Sequence, residues 1–442
     1  MSEPTPQRQH RSTAIVIAVC FATIVFDGYD LVVYGTTVPS ILAYQDWGVT
    51  PAQAGAIGSY ALVGMLIGAL VSGAVTDQIG HRKVLLVCIT WFSVVMGLTW
   101  LAPNPEIFGL LRFVAGLGLG GVVPTAIALT VEYSAPHRRQ RNNAVMYSGY
   151  SIGGIGAALL GLSLLPEQDF RLLYLIGALP LVVVLPIAWK FLPESVAFLI
   201  SKGRTDQAHA QAERFGLDYS AIAARVEKKA AQAGRWQARA LFSAQYLRAT
   251  LLFAAASFCG LLLVYGLNTW LPQIMRSAGY GLGSSLAFLL VLNAGAVIGA
   301  IGASQIADRI GIRPVAIAAF CCAALSVTLL SFRQPIAVLF ALVALAGLGS
   351  VGTQILVNGY VATYYPDNLR ATALGWSLGV GRTGAIAGPI LGGLVAASTL
   401  GYQWNFYLFA VVAAIGLLLI AAVPVARASR TTAGAPTAVV ER

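Results

Sequence analysis

Charge is what this sequence lacks most. Only 10% of its 442 residues are charged, and Asp and Glu together number 17, whereas a soluble domain carries roughly 25% charged side chains. So little polar surface excludes an ordinary cytoplasmic enzyme, and 57% hydrophobic residues exclude a disordered chain. Cysteine is scarce as well. Cys20, Cys88, Cys259, Cys321 and Cys322 all fall inside apolar runs, with no CxxC pair and no metal-ligand spacing. That excludes a secreted disulfide scaffold and leaves small packing residues. The four histidines lie outside the apolar runs, so neither a metal site nor a histidine proton relay is expected in the apolar interior. No phosphate-cradling glycine loop is present, and no cofactor is expected.

What is abundant is apolar length. Runs long enough to cross a bilayer, about 20 residues each, occur near 14–40, 53–76, 84–102, 107–131, 143–164, 172–192, 249–271, 285–307, 314–331, 335–361, 372–397 and 404–426. The chain is thus expected to be an all-α membrane protein of twelve transmembrane helices. Residues 1–192 form an amino-terminal six-helix bundle, 193–248 a connector with short amphipathic helices around 205–215 and 220–233, and 249–442 a second six-helix bundle with a short tail. The first apolar run is too long for a signal-peptide core, so the amino terminus is expected to stay uncleaved.

The net charge of +11 could suggest a nucleic-acid partner, but its placement says otherwise. With the amino terminus inside, 23 of the Lys and Arg residues fall on one side, and only Arg171, Arg276 and Arg333 on the other. Arg112 and Arg382 lie within spans. The positive-inside rule then puts both termini and the connector in the cytoplasm and accounts for the charge through topology. No nucleic acid is called for, and the expected surroundings are a lipid bilayer.

The two halves repeat at an offset of 231 residues. Asp77-Gln-Ile-Gly80-His-Arg82 matches Asp308-Arg-Ile-Gly311-Ile-Arg313, Val33-Tyr34-Gly35 matches Val264-Tyr265-Gly266, and Gly116 matches Gly347. A duplicated six-helix unit marks a secondary transporter whose pseudo-symmetric halves rock about a midplane site.

Gly73-Ala-Val-Thr-Asp77-Gln-Ile-Gly80-His-Arg82-Lys83 resembles the signature loop of the major facilitator superfamily, with the partial copy Ser304…Asp308-Arg309…Gly311…Arg313 in the second half. Pro193-Glu194-Ser195-Val-Ala-Phe198-Leu199 resembles a motif that several branches of that superfamily place after the sixth span. Phe26-Asp27-Gly28-Tyr29-Asp30, followed by Val32-Val33-Tyr34-Gly35, is similar to the first span of the aromatic acid:proton symporters, benzoate-type members in particular. The resemblance implies the major facilitator fold and no catalysis. It also implies import of a monocyclic aromatic carboxylate such as benzoate or a hydroxybenzoate with a proton, by a monomer in the bacterial inner membrane. Proton-driven efflux of aromatic acids or drugs is the nearest rival. A membrane sensor that binds such acids without transporting them is the rival of another class.

Ionisable residues inside a bilayer cost several kcal/mol or more and need named partners. Asp27 and Asp30 are three apart and share a helix face. Close carboxylates in a poorly solvated cavity repel, and desolvation favours the neutral form, so at least one is expected to carry a proton. Spacing alone does not choose between them, and one could be held in a structural pair with an arginine. Arg382, among glycines near the middle of span eleven, is the expected clamp for the substrate carboxylate by resemblance to the symporters; pairing with Asp27 or Asp30 is the competing reading. Arg112 serves either coupling or a structural pair. Glu132 is expected in a gate network with Arg82, Arg138 or Arg139. Asp77, Gly80, Arg82, Asp308 and Arg313 sit at helix ends where a cytoplasmic gate would close. For the ring and the polar contacts, Tyr34, Asn268, Asn358 and Trp376 stand out, with Tyr265, Trp270, Asn293, Gln354 and Tyr360 behind them.

Overall fold

The computed structural model describes residues 6–135, 138–232 and 237–424. The expected tail, residues 425–442, lies outside the described residues, as do residues 1–5, His137 and Arg235. The first half comprises α1 (Pro6–Ala43), α2 (Pro51–Ile79), α3 (His81–Trp100), α4 (Pro105–Glu132), α5 (Arg139–Leu164), α6 (Arg171–Ile176) and α7 (Val184–Phe191). Four short helices follow: α8 (Val196–Ser201), α9 (Thr205–Phe215), α10 (Tyr219–Gln232) and α11 (Gln237–Leu241). The second half contains α12 (Leu247–Ser277), α13 (Leu282–Ile310), α14 (Ile312–Leu329), α15 (Ile336–Gly347), α16 (Thr353–Tyr364), α17 (Asp367–Ala397) and α18 (Gln403–Ala421). Twelve stretches among the described residues are long and apolar enough to cross a membrane, the sixth spanning Arg171–Phe191 and the tenth Ile336–Tyr364.

Two of those crossings are irregular in a way that hydropathy does not register. The sixth breaks around a 3₁₀ turn at Leu179–Leu181, where Pro180 lacks the N–H that an α-helical bond needs. The tenth widens into a π turn at Leu348–Gly352. Helix starts on the face opposite the connector follow local chemistry. Thr50 and Gln53 form a reciprocal capping box ahead of Pro51, and the Asn104 side chain accepts from Ile107 N–H ahead of Pro105.

The repeat recurs in space with the same register. Gly80 and Gly311, the equivalent glycines of the duplicated loop, turn the chain at φ +99° and +92°, values that a side chain resists. Gly116 of α4 lies on the Ala61 carbonyl of α2, and Gly347 of α15 lies on the Leu292 carbonyl of α13. Gly64 packs on the Phe113 carbonyl and Gly295 on that of Ala344. Each of these contact pairs is related to its partner by the offset of 231. Small residues let the helix backbones touch, the usual basis of helix association in lipid, where burial of apolar surface supplies no driving force.

The halves meet on the face away from the connector. Gly35 abuts the Asn268 backbone, Gly55 fits against Pro389 and Gly393, and Ser59 Oγ donates to the Ile386 carbonyl at 2.7 Å. Arg276 donates to the Pro39 carbonyl at 3.1 Å. On the connector face, Gly73, Gly375 and Gly379 face open space, and Trp376 is 41% exposed. The molecule is closed at one end and open at the end bearing the connector.

Gly55→Leu should wedge that closed end, since overpacking of this kind costs about 1–3 kcal/mol. An Ile386→Cys reporter in a cysteine-free background should then react with a membrane-impermeant thiol reagent roughly tenfold faster from that side. An unchanged rate would mean that the glycine contact does not hold the closure.

Candidate functional site

The first span supplies both buried carboxylates, and the structure separates them by partner. Asp30 Oδ1 accepts from Arg112 Nη1 at 2.5 Å, while Arg112 Nη2 donates to the Asp30 carbonyl at 3.1 Å. Both side chains are 1% exposed. The guanidinium lies 5.7 Å from the Tyr34 ring and 5.8 Å from the Tyr174 ring. Those tyrosines are themselves fixed: Tyr34 donates to the Ala54 carbonyl, and Tyr174 bonds Thr37 Oγ1 at 2.8 Å. Charge, rings and hydroxyls thus form one closed box within the first half.

Asp27 stands outside that box. It is equally buried, and its Oδ1 has no hydrogen-bond partner among the described residues. The cation within electrostatic reach is Arg382, fifteen residues from either end of α17. Among the described residues the two form no ion pair. Arg382 is only half-buried although it lies deep between the helices, so water reaches it. Around it are Tyr265 of α12 and Tyr147 and Tyr150 of α5, all within electrostatic reach of its charge. The Tyr147 and Tyr150 rings are stacked, 6.5 Å apart and inclined at 16°. Tyr147 is 40% exposed, and the Tyr150 hydroxyl is buried toward Tyr265. Four helices, α1, α5, α12 and α17, therefore bring together a carboxylate, a guanidinium and three phenol rings.

Other residues singled out in the sequence lie elsewhere. Tyr34 belongs to the Arg112 box. Asn268 donates to the Val264 carbonyl at 2.7 Å and accepts from Asn293 at 3.0 Å, and Asn358 accepts from Gln354 at 3.1 Å. Trp376 stacks edge-on against Phe242, with ring centroids 5.1 Å apart. Tyr147 and Tyr150 were not anticipated. Their i, i+3 spacing is the available signal, and it also fits ordinary packing.

At the connector end Asp77 and Asp308 are exposed and form no salt bridge among the described residues. Arg313 donates to the Ala421 carbonyl at 2.7 Å, and Arg82 Nη2 to that of Trp189 at 2.5 Å. Glu132, expected in a network with Arg82, Arg138 or Arg139, is held by the start of α8. It accepts from Ser195 Oγ at 2.6 Å and from Ala197 N–H at 3.1 Å, and no salt bridge joins it to Arg82 or Arg139 among the described residues. The physical reason is the start of α8, whose free N–H groups and capping hydroxyl satisfy a carboxylate better than a solvated guanidinium does. Glu194 does the same for α3, accepting from Arg82 N–H at 3.0 Å. The Pro193-Glu194-Ser195 motif thereby docks the connector onto the first half. Among the described residues no His, Cys, Asp and Glu cluster could hold a metal ion.

A twelve-span duplicated bundle with charged side chains at its middle defines a membrane transporter, and comparison with known proteins agrees. Residues 20–311 and 291–441 match the Major Facilitator Superfamily, and the chain belongs to that family. It is 37% identical over 416 residues to the benzoate transport protein of Acinetobacter baylyi, covering 92% of this chain and 88% of that protein. It is 40% identical over 412 residues to the gentisate transporter of Corynebacterium glutamicum, covering 92% and 86%. Among solved structures, the partially occluded inward-open xylose transporter XylE of Escherichia coli superposes with a TM-score of 0.73 at 15% identity, over 93% of this chain and 99% of that one. The protein is a transporter and not an enzyme.

Removing one member of a buried ion pair strands the other and costs about 3–5 kcal/mol. Arg112→Leu should therefore lower the melting temperature sharply, and Arg112→Leu with Asp30→Leu should recover most of the loss. A thermal-unfolding double-mutant cycle measures this. Additive losses would show that the pair is not coupled.

Proposed function

We propose that the protein imports a monocyclic aromatic carboxylate, with benzoate the leading candidate, together with a proton across the bacterial cytoplasmic membrane. The observation that carries this reading is the open arrangement of Asp27 and Arg382, opposite charges within reach that form no ion pair among the described residues, beside stacked tyrosine rings. A guanidinium can take a carboxylate bidentately, and phenol faces suit a flat ring. Relatives named for benzoate and gentisate transport support the substrate class.

Coupling follows from competition for one cation. Ionised Asp27 and a bound substrate carboxylate both answer the charge of Arg382. Protonating Asp27 leaves the guanidinium to the substrate, so proton and anion favour each other's binding, as symport requires. In an antiporter they would exclude each other. Asp30, committed to Arg112, is not free for this part, which assigns the proton to Asp27. The connector face is cytoplasmic by the positive-inside rule, so the structure corresponds to the state that releases proton and acid inward. When the halves rock, the exposed acids and bases around Asp77, Arg82, Asp308 and Arg313 come together as the gate on that side.

The test is labelled benzoate uptake into proteoliposomes under an inward proton gradient, with and without a protonophore, against empty liposomes, because neutral benzoic acid crosses lipid unaided. Accumulation that needs both protein and gradient supports symport; its absence in folded protein removes benzoate as substrate. Arg382→Ala should weaken acid binding by roughly 10- to 100-fold, the loss expected for charge-assisted hydrogen bonds. Asp27→Asn should abolish uphill accumulation, keep counterflow exchange, and remove the decline of acid binding with rising pH. A pH-dependent Asp27→Asn variant would place the coupling proton elsewhere.

A further inference from the structure

A second cavity, distinct from the central cluster, opens on the connector face between the first half and the short helices. Its volume is about 680 Å³, and its walls come from the start of α1, the end of α4, the start of α5 and the α9–α10 turn. Its charged lining is lopsided: Arg138, Arg139, Arg141 and Arg225 against Glu132 and Asp218. Both acids are already engaged. Glu132 serves Ser195 and Ala197, and Asp218 Oδ1 accepts from Ser220 Oγ and Ala221 N–H at the start of α10. The arginines on opposite walls face each other instead. Burial lowers the proton affinity of Arg139 from its usual value, and the opposing Arg225 lowers it further. Arg139 Nε donates to the Ser134 carbonyl at 3.4 Å. The two guanidiniums repel across the cavity, and Asp218, within electrostatic reach of Arg225, offsets that repulsion in part.

We propose that this cavity binds a phosphate-bearing anion across Arg139, Arg141 and Arg225. Forked guanidiniums match phosphate oxygens, and the free N–H groups at the start of α5 add to the positive field. Ile17, Leu217 and Ile222 give the same cavity an apolar wall. The site lies where the first and fifth spans leave the bilayer, so the phosphate can come from a lipid headgroup or from a soluble compound. A bound anion would tie α10 to α5 and hold the connector against the first half.

The test is native mass spectrometry of the purified full chain, titrated with short-chain phosphatidylglycerol, phosphatidylcholine of equal chain length, or inorganic phosphate. Preferential binding of phosphatidylglycerol assigns the lipid headgroup; binding of phosphate without lipid preference assigns a soluble anion. In either case Arg225→Gln, on the exposed face of α10, should weaken the adduct roughly tenfold. Arg139→Lys should weaken it less, and Arg333→Gln at the far end should leave it unchanged. The proposal is overturned if neither probe binds in preference to phosphatidylcholine, if Arg225→Gln binds as the unmodified chain does, or if Arg333→Gln loses as much.

Discussion

The cost of a charge without water governs this molecule. A bilayer interior offers an ion nothing, so each buried charge must be matched from within the protein. Asp30 and Arg112 meet that condition through direct contact, inside a box of tyrosines whose hydroxyls are hydrogen-bonded, although Asp30 Oδ2 and Arg112 Nε have no hydrogen-bond partner among the described residues. Asp27 and Arg382 meet it only in part, held in each other's field with no ion pair between them among the described residues. The first arrangement is a closed ion pair. The second is the proposed site for a proton and a carboxylate, and Arg382 there is only half-buried.

Duplication built the scaffold, and departure from duplication built the site. The offset of 231 that relates the glycine contacts sets Phe258 opposite Asp27, Leu261 opposite Asp30, Val343 opposite Arg112 and Ser151 opposite Arg382. None of the four central charges has a charged counterpart. Symmetric packing of α2 on α4 and of α13 on α15 gives two bodies of like shape that can rock against each other. The central charges, which the duplication does not repeat, form the proposed binding site.

The sequence carried the architecture because hydropathy and the positions of Lys and Arg are properties of the chain alone. Twelve spans, the duplicated loop and the isolated arginines were all legible. The division of labour between Asp27 and Asp30 was not, because residues three apart share a face and only the neighbouring helices decide which meets Arg112. Tyr34 looked suited to an aromatic slot, yet its hydroxyl is bound to the Ala54 carbonyl of α2. Tyr147 and Tyr150 were invisible because stacked rings in an apolar helix read as packing until a guanidinium stands beside them. Nor was it legible that Glu132 would meet Ser195 and Ala197 at the start of a short helix, because those donors lie over sixty residues along the chain.

The closure away from the connector consists mainly of glycine backbone and apolar surface, with Arg276 at its rim. Such a seal moves almost no net charge when it parts. The electrical potential across a membrane does work only on charge displaced through it, and salt screens only exposed charges. Neither has much hold on that end of the molecule. Under the proposed mechanism, voltage would act instead on the charge that Asp27, Arg382 and a bound acid carry, and on the charged gate at the connector end, as the halves rock.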